Sequence, residues 1–145
     1  MPANFQPIFP LTPKVSFGIV LAANTALDGT GTTVLLFTAG ANGAKIDQIK
    51  AMHLGTNVAS VLTLFVNNGS APTSAANNSL IHEVTLPANT LSQIAESVDF
   101  DIVISKNTTE TASPIPYLPA GYRIYGAVGT ALDAGVQVTV HGADY

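Results

Sequence analysis

Short apolar segments of about five to nine residues follow one another along most of the chain, and turn sequences separate them. Residues 98–104 alternate apolar side chains with Asp99 and Asp101, and residues 136–141 alternate three valines with polar residues. A period of two is typical of β-strands that bury one face. The pattern therefore predicts a protein built from strands.

Further strands are predicted where β-branched and aromatic residues cluster, at 15–22, 32–38, 44–54, 58–67, 79–85 and 122–128. Residues 44–54 fit either a strand with a bulge or a short helix, and we favour the strand. Residues 90–98 have helical spacing but are predicted as a loop with at most one helical turn. About eight strands with glycine-rich turns between them predict an all-β fold, an antiparallel β-sandwich of jelly-roll type rather than an immunoglobulin sandwich.

The first fourteen residues differ from the rest of the chain. Four prolines, at positions 2, 7, 10 and 13, prevent a helix or a central strand from running through them. The apolar side chains between the prolines are Phe5, Ile8, Phe9 and Leu11. We therefore predict an extended Pro-rich N-terminal arm over 1–14 and one β-sandwich domain over 15–145. The arm can lie along its own domain or dock on a neighbouring subunit, and we favour the neighbour.

Charge is scarce in this chain: Asp, Glu, Lys and Arg make up 10% of the residues, whereas soluble domains average about 25%. Hydrophobic residues make up 47%. A protein that works alone in solution usually carries more charge on its surface. The deficit predicts surface that is buried against other subunits.

The charge and composition of the chain argue against several kinds of partner. The net charge is −4 and the five basic residues are scattered, so no nucleic acid is expected to bind. The N-terminal sequence lacks the pattern of a secretory signal and no stretch has the length of a membrane helix, so we expect no membrane association. There is no cysteine, and no cofactor is expected.

Candidate catalytic residues are few. A nucleophilic triad needs a presented nucleophile, a histidine and a carboxylate, but His53, His82 and His141 all fall in predicted strands and are interpreted as structural. Asp99 and Asp101 have the spacing of paired carboxylates, but their alternation with apolar residues is typical of the wet face of a strand. A hydrolase using Asp99 or His82 is kept only as a remote alternative, and we predict that the chain is not an enzyme.

Two candidate ligand sites come from loops. The oxygen-rich turn 28–31 lacks the run of carboxylates of a calcium loop, so no metal is predicted, although a bound calcium ion stays open. Tyr117, Tyr122 and Tyr125 cluster around an LPAG turn and could form an aromatic patch for a sugar ring. Packing is the commoner use of such tyrosines.

Three stretches resemble a group of small virion proteins of tailed bacteriophages. They are ANTALDGTGTTVLLFTAGANGAKIDQI at 23–49, VDFDI at 98–102 followed by LPAGYRI at 118–124, and VTVHGADY at 138–145. The loops at 68–78 and 106–117 are longer than in that group.

The resemblance implies a capsid decoration or cement protein that stabilises the phage head. Its expected partners are the major capsid protein and other copies of itself, as a homotrimer. The apolar arm and the scarcity of charge predict that the arm residues Phe5, Ile8, Phe9 and Leu11 make such contacts. Its expected location is the capsid surface of the virion, after synthesis in the host cytoplasm. The alternative is a tail, baseplate or fibre component that binds a host glycan.

Overall fold

The computed structural model describes residues 9–102 and 117–145, and it contains eight strands and one short 3-10 helix in that part of the chain. The strands are β1 (Thr12–Val20), β2 (Val34–Thr38), β3 (Ala44–His53), β4 (Ser60–Asn67), β5 (Asn78–Leu86), β6 (Asp99–Ile102), β7 (Arg123–Val128) and β8 (Val136–Asp144). The 3-10 helix, Ala75–Asn77, lies in the β4–β5 connection.

The strands form two four-stranded antiparallel sheets. Sheet 1 has the order β1-β8-β3-β6 and sheet 2 the order β2-β7-β4-β5. The first strand therefore pairs with the last, the second with the seventh, the third with the sixth and the fourth with the fifth. A chain folded once at its middle and rolled into two sheets gives this order, which is that of a jelly roll. The predicted all-β jelly-roll sandwich is confirmed.

The predicted strands are present, with small differences at their ends. The segment 44–54 is a strand, and its pairing with β8 shifts register between Ile46 and Gln48, which is the bulge that the strand interpretation required. Residues 90–98 form a loop without a helical turn, in which the Ser92 hydroxyl accepts hydrogen bonds from the next backbone amides. Residues 103–104 of the predicted sixth strand lie outside the described residues.

The core lies between the sheets. Its largest fully buried side chains are Phe37, Leu36, Ile46, Ile49, Leu62, Leu64, Leu86, Ile124, Val20, Val128 and Val136. Both sheets contribute alternate residues, as expected for sheets packed face to face. Burying these side chains is the main source of stability in a chain with no cysteine.

The start of β1 extends into the segment assigned to the arm. β1 begins at Thr12, three residues before the predicted start of the domain, and Thr12, Pro13 and Lys14 pair with the end of β8. Pro13 is compatible with this position because β1 is an edge strand, where a missing N–H need not break a ladder.

Candidate assembly surface

The apolar side chains of β1 point away from the core. Val15, Phe17 and Ile19 are 58%, 65% and 48% exposed, and Leu21, just after the strand, is 48% exposed. The alternate positions that face sheet 2 include Lys14, Ser16 and Gly18. An amphipathic strand normally turns its apolar face toward the core. In β1 this arrangement is reversed, and we call Val15, Phe17, Ile19 and Leu21 the β1 row.

Contacts beneath β1 explain this orientation. A side chain on Gly18 would begin 2.7 Å from Val34 and 3.1 Å from Leu36, so only glycine fits where the sheets approach at this point. The Lys14 amino group donates to the Thr38 carbonyl at 2.6 Å and lies 5.1 Å from the centre of the Phe37 ring. A slip of one residue would turn every side chain of the strand over and lose both contacts.

The outer face of sheet 1 changes character from one edge to the other. β8 places the polar side chains of Gln137, Thr139 and His141 beside the β1 row. Further across the sheet the surface is charged, because Lys50 pairs with Asp99 and the Gln48 amide donates to Asp101 at 2.7 Å. Apolar side chains therefore line one edge of this face, and charged side chains line the other.

Hydrogen bonding between β3 and β6 accounts for the two aspartates of the alternating segment. The Lys50 ammonium lowers the pKa of the Asp99 carboxyl through a hydrogen bond and its charge, and the same contact raises the pKa of Lys50. Asp99 stays ionised rather than serving as an acid, and Asp101 is bound by Gln48. The pair forms the polar face of a strand, as its spacing predicts.

A cleft of about 690 Å³ lies beside the start of β1, lined by Leu11, Asn42, Tyr117 and Tyr145. Leu11 is 80% exposed and Tyr117 is 65% exposed, and the rings of Tyr117 and Tyr145 lie 6.0 Å apart. Burial and the neighbouring Tyr117 raise the pKa of the Tyr145 phenol. The cleft is neutral and aromatic, which suits an apolar side chain or a sugar ring.

The residues of the arm predicted to bind a partner are only partly described. Phe9 and Leu11 are 67% and 80% exposed, and the Leu11 amide donates to the Asp144 carbonyl at 2.9 Å. Phe5 and Ile8 lie outside the described residues. Leu11 lies four residues before Val15, the first residue of the β1 row.

The structure does not bring the three predicted tyrosines together. Tyr117 faces solvent, Tyr122 packs against the main core, and Tyr125 is only 9% exposed, on the outer face of sheet 2. There Tyr125 forms a small separate cluster with Phe65 and Ala127. Tyr117 instead lies beside the half-buried Tyr145, a pair that the sequence did not suggest because the two residues lie far apart in the chain.

The oxygen-rich turn of the β1–β2 connection is held by its own hydrogen bonds. In the turn 24–31, the Asn24 amide donates to the Thr30 and Thr32 carbonyls at 2.7 and 3.0 Å, and Asp28 accepts from the Thr30 hydroxyl at 2.6 Å. That hydroxyl lowers the pKa of Asp28. Across 9–102 and 117–145, no group of three His, Cys, Asp or Glu side chains is arranged to hold a metal ion.

His53 lies in a buried polar cluster at the opposite end of the sandwich. It is 3% exposed, and its Nδ1 lies 3.0 Å from the Asn57 amide nitrogen. That amide also donates to the Gly135 carbonyl at 2.9 Å, while its oxygen accepts from the amides of Ala134 and Gly135. Among the described residues, no group lies at good hydrogen-bond geometry to Nε2 of His53. Burial lowers the pKa of the imidazole, and a weaker contact with the Pro87 backbone raises it by less. These bonds join the end of β3 and the β3–β4 connection to the β7–β8 connection.

Comparisons with known proteins add little. No protein-family model and no curated protein matches the sequence. One solved structure, described as a cyanophage Pam1 capsid asymmetric unit, aligns over 99% of this chain and 92% of its own, with 19% identity and a TM-score of 0.40. That likeness is too low to transfer a function. In the described ranges no helix is long and apolar enough to cross a membrane.

Proposed function

We propose that this chain is a non-catalytic structural protein of a tailed-phage virion, a capsid decoration or cement subunit that binds the major capsid protein and neighbouring copies. The observation that carries the assembly role is the β1 row, because exposed apolar side chains that form a continuous patch mark protein contacts. The virion assignment is supported by the three sequence stretches that resemble small phage virion proteins.

The arm supplies the contact to a neighbour. Phe9 and Leu11 are large apolar side chains held in solvent at the start of an edge strand. Burying both against a partner removes on the order of 250 Å² of apolar surface from water, which is worth several kcal/mol at about 25 cal/mol per Å². Many such contacts on one particle act together, so each can be weak.

Attachment to phage heads tests the proposal. Heads stripped of this protein are mixed with purified chain and sedimented. Wild type should sediment with the heads. The arm variant, which combines Phe9→Asp and Leu11→Asp, should reduce the bound fraction at least tenfold. Leu27→Asp is the matched control, because Leu27 is 57% exposed but lies in the β1–β2 connection. Equal binding of the arm variant and wild type would show that the arm does not contribute to the contact.

A second candidate function rests on the cleft with Tyr117 and Tyr145. A tail or fibre component would use this aromatic pair to stack a host sugar. This candidate would be favoured if the wild-type protein binds a glycan on an array and does not attach to heads, and if Tyr117→Ala abolishes the glycan binding.

A further inference from the structure

We propose that β1 pairs with β1 of a second copy of this chain around a twofold axis, joining two copies of sheet 1 into one continuous sheet. The pairing deepens the proposed assembly role and rests on it for its biological setting. It is tested in solution, without particles, so it can fail while the virion role stands.

The first argument is the reversed orientation of β1. A solitary sandwich would gain by burying Val15, Phe17 and Ile19, yet these side chains face solvent and Lys14, Ser16 and Gly18 face inward. Pairing with a second β1 places each side chain of the β1 row beside a side chain of the partner's row, because neighbouring positions on one face of a sheet contact each other.

The second argument is the lack of protection along this edge. Edge strands are usually blunted by charges, prolines, bulges or short length. β6 has four residues and carries Asp99 and Asp101, and the pairings of β2 and β5 both contain a register shift. β1 has nine residues paired in continuous register. Its Pro13 and Lys14 lie at one end, and the Lys14 charge is held by Asp144 rather than presented to solvent.

The third argument is that the edge suits a copy of itself. A twofold contact places the same residues on both sides, so any charge there would face its like. From Val15 to Val20 the strand has no charged residue. The same contact at β6 would bring Asp99 and Asp101 near their own copies. The β1 edge from Val15 to Val20 can therefore meet its own copy without charge repulsion.

The arm of a neighbour is a weaker occupant of this edge. Its prolines at positions 2, 7 and 10 lack the N–H groups that a strand needs to pair. A pair of β1 strands has no proline from Val15 to Val20. Twofold pairing predicts a dimer as the unit in solution, which differs from the trimer that the family resemblance implies.

Single cysteines test the pairing directly, because the natural chain has none. Val15→Cys, Phe17→Cys and Ile19→Cys are oxidised alone and as mixtures. In a continuous sheet, residues directly opposite each other lie about 4.5 to 5.5 Å apart at Cα, within reach of a disulfide. A twofold axis places one residue opposite its own copy and pairs the residues on either side of it. We therefore expect rapid cross-linking either of one variant with itself or of one mixture of two neighbouring variants. Ile94→Cys, at a fully exposed position outside the row, measures random collision.

Light scattering gives the second readout. Wild type should be a dimer, and Phe17→Lys should raise its dissociation constant at least tenfold, with Ile94→Lys unchanged. A wild-type monomer or trimer, or cross-linking no faster than in Ile94→Cys, would overturn the pairing. If the wild type is monomeric but Phe17→Lys no longer attaches to heads, the row contacts the capsid protein; the pairing is then wrong and the proposed function stands.

Discussion

The Lys14 ammonium lies 3.0 Å from the Asp144 carboxylate and so joins the first strand of the jelly roll to the last. Lys14 also donates to the Thr38 carbonyl, and the second oxygen of Asp144 accepts from the Gly40 amide at 3.0 Å. One ion pair thereby fixes the first and last strands to the end of β2 and the β2–β3 turn. These contacts give Asp144, in the HGADY ending, a structural role.

Replacement of Asp144 tests this connection. Asp144→Ala removes an acceptor from a half-buried amine and a backbone amide, so we expect the free energy of unfolding to fall by about 1–2 kcal/mol. Asp47→Ala is the control, because Asp47 forms an exposed pair with Lys45 and such pairs contribute about 0–1 kcal/mol. Urea denaturation measures both. Equal losses in the two variants would contradict the role of Asp144.

Stability should depend on pH through His53. Burial lowers the pKa of His53 in the folded state below the ordinary value of about 6.5, so the unfolded chain binds more protons in acid. The stability is therefore complete above that value and falls as the pH drops below it, by at most about 1.4 kcal/mol per pH unit for this group.

The contact with Asn57 gives the same direction, whereas a hydrogen bond to the Pro87 backbone opposes it with a smaller effect than burial. The Asn57 amide cannot turn to offer its oxygen to a protonated Nδ1, because that oxygen already accepts from Ala134 and Gly135. His53→Gln keeps an acceptor for Asn57 and removes the titrating ring. Denaturation midpoints between pH 5 and 8 should show a smaller slope in this variant. An unchanged slope would assign the acid sensitivity to other groups.

Among the polar residues of the His53 cluster, Asn57 should cause the largest loss of stability when it is replaced. Its side chain bonds His53, Ala134 and Gly135, all in a buried setting. Asn57→Ala leaves several buried groups without partners, and we expect a loss of roughly 2–4 kcal/mol. Asn68→Ala, in the exposed β4–β5 turn, should change stability by less than about 0.5 kcal/mol. Thermal unfolding of the two variants checks the difference.

Gly142 should not accept a side chain. A Cβ at this position would overlap the Lys45 carbonyl oxygen, which belongs to the backbone of the neighbouring strand and cannot move aside alone. Gly142→Ala is expected to cost about 1–3 kcal/mol or more, as overpacking does. At Gly129 the nearest atom is 3.9 Å away, so Gly129→Ala should be tolerated. If both variants have the same melting temperature, the close approach of β3 and β8 is wrong.

The strands could be predicted from the sequence because period-two alternation and turn glycines are local signals. The orientation of β1 could not be predicted from the sequence. The alternation of Val15, Phe17 and Ile19 is the same whether these side chains face the solvent or the core. Only the register with β8 and the tight contact at Gly18 decide it, and both depend on residues far away in the chain.

The aromatic sites show the same limit. Tyr117, Tyr122 and Tyr125 are close in sequence, but a turn and the alternation of β7 send them to three environments. Tyr117 instead meets Tyr145, because the segment 117–122 bonds to the β2–β3 turn, to which the chain's last residues also bond. Long-range pairing of this kind leaves no periodic signal in the sequence.

The location of the protein in a particle tests the account most directly. Under the proposed function a phage encodes this chain, and its purified particles are separated into heads and tails. The chain is then quantified in each fraction by mass spectrometry against the major capsid protein. A decoration or cement subunit should be found on heads in many copies. Absence from the particle, or presence only on tails, would contradict the proposed role.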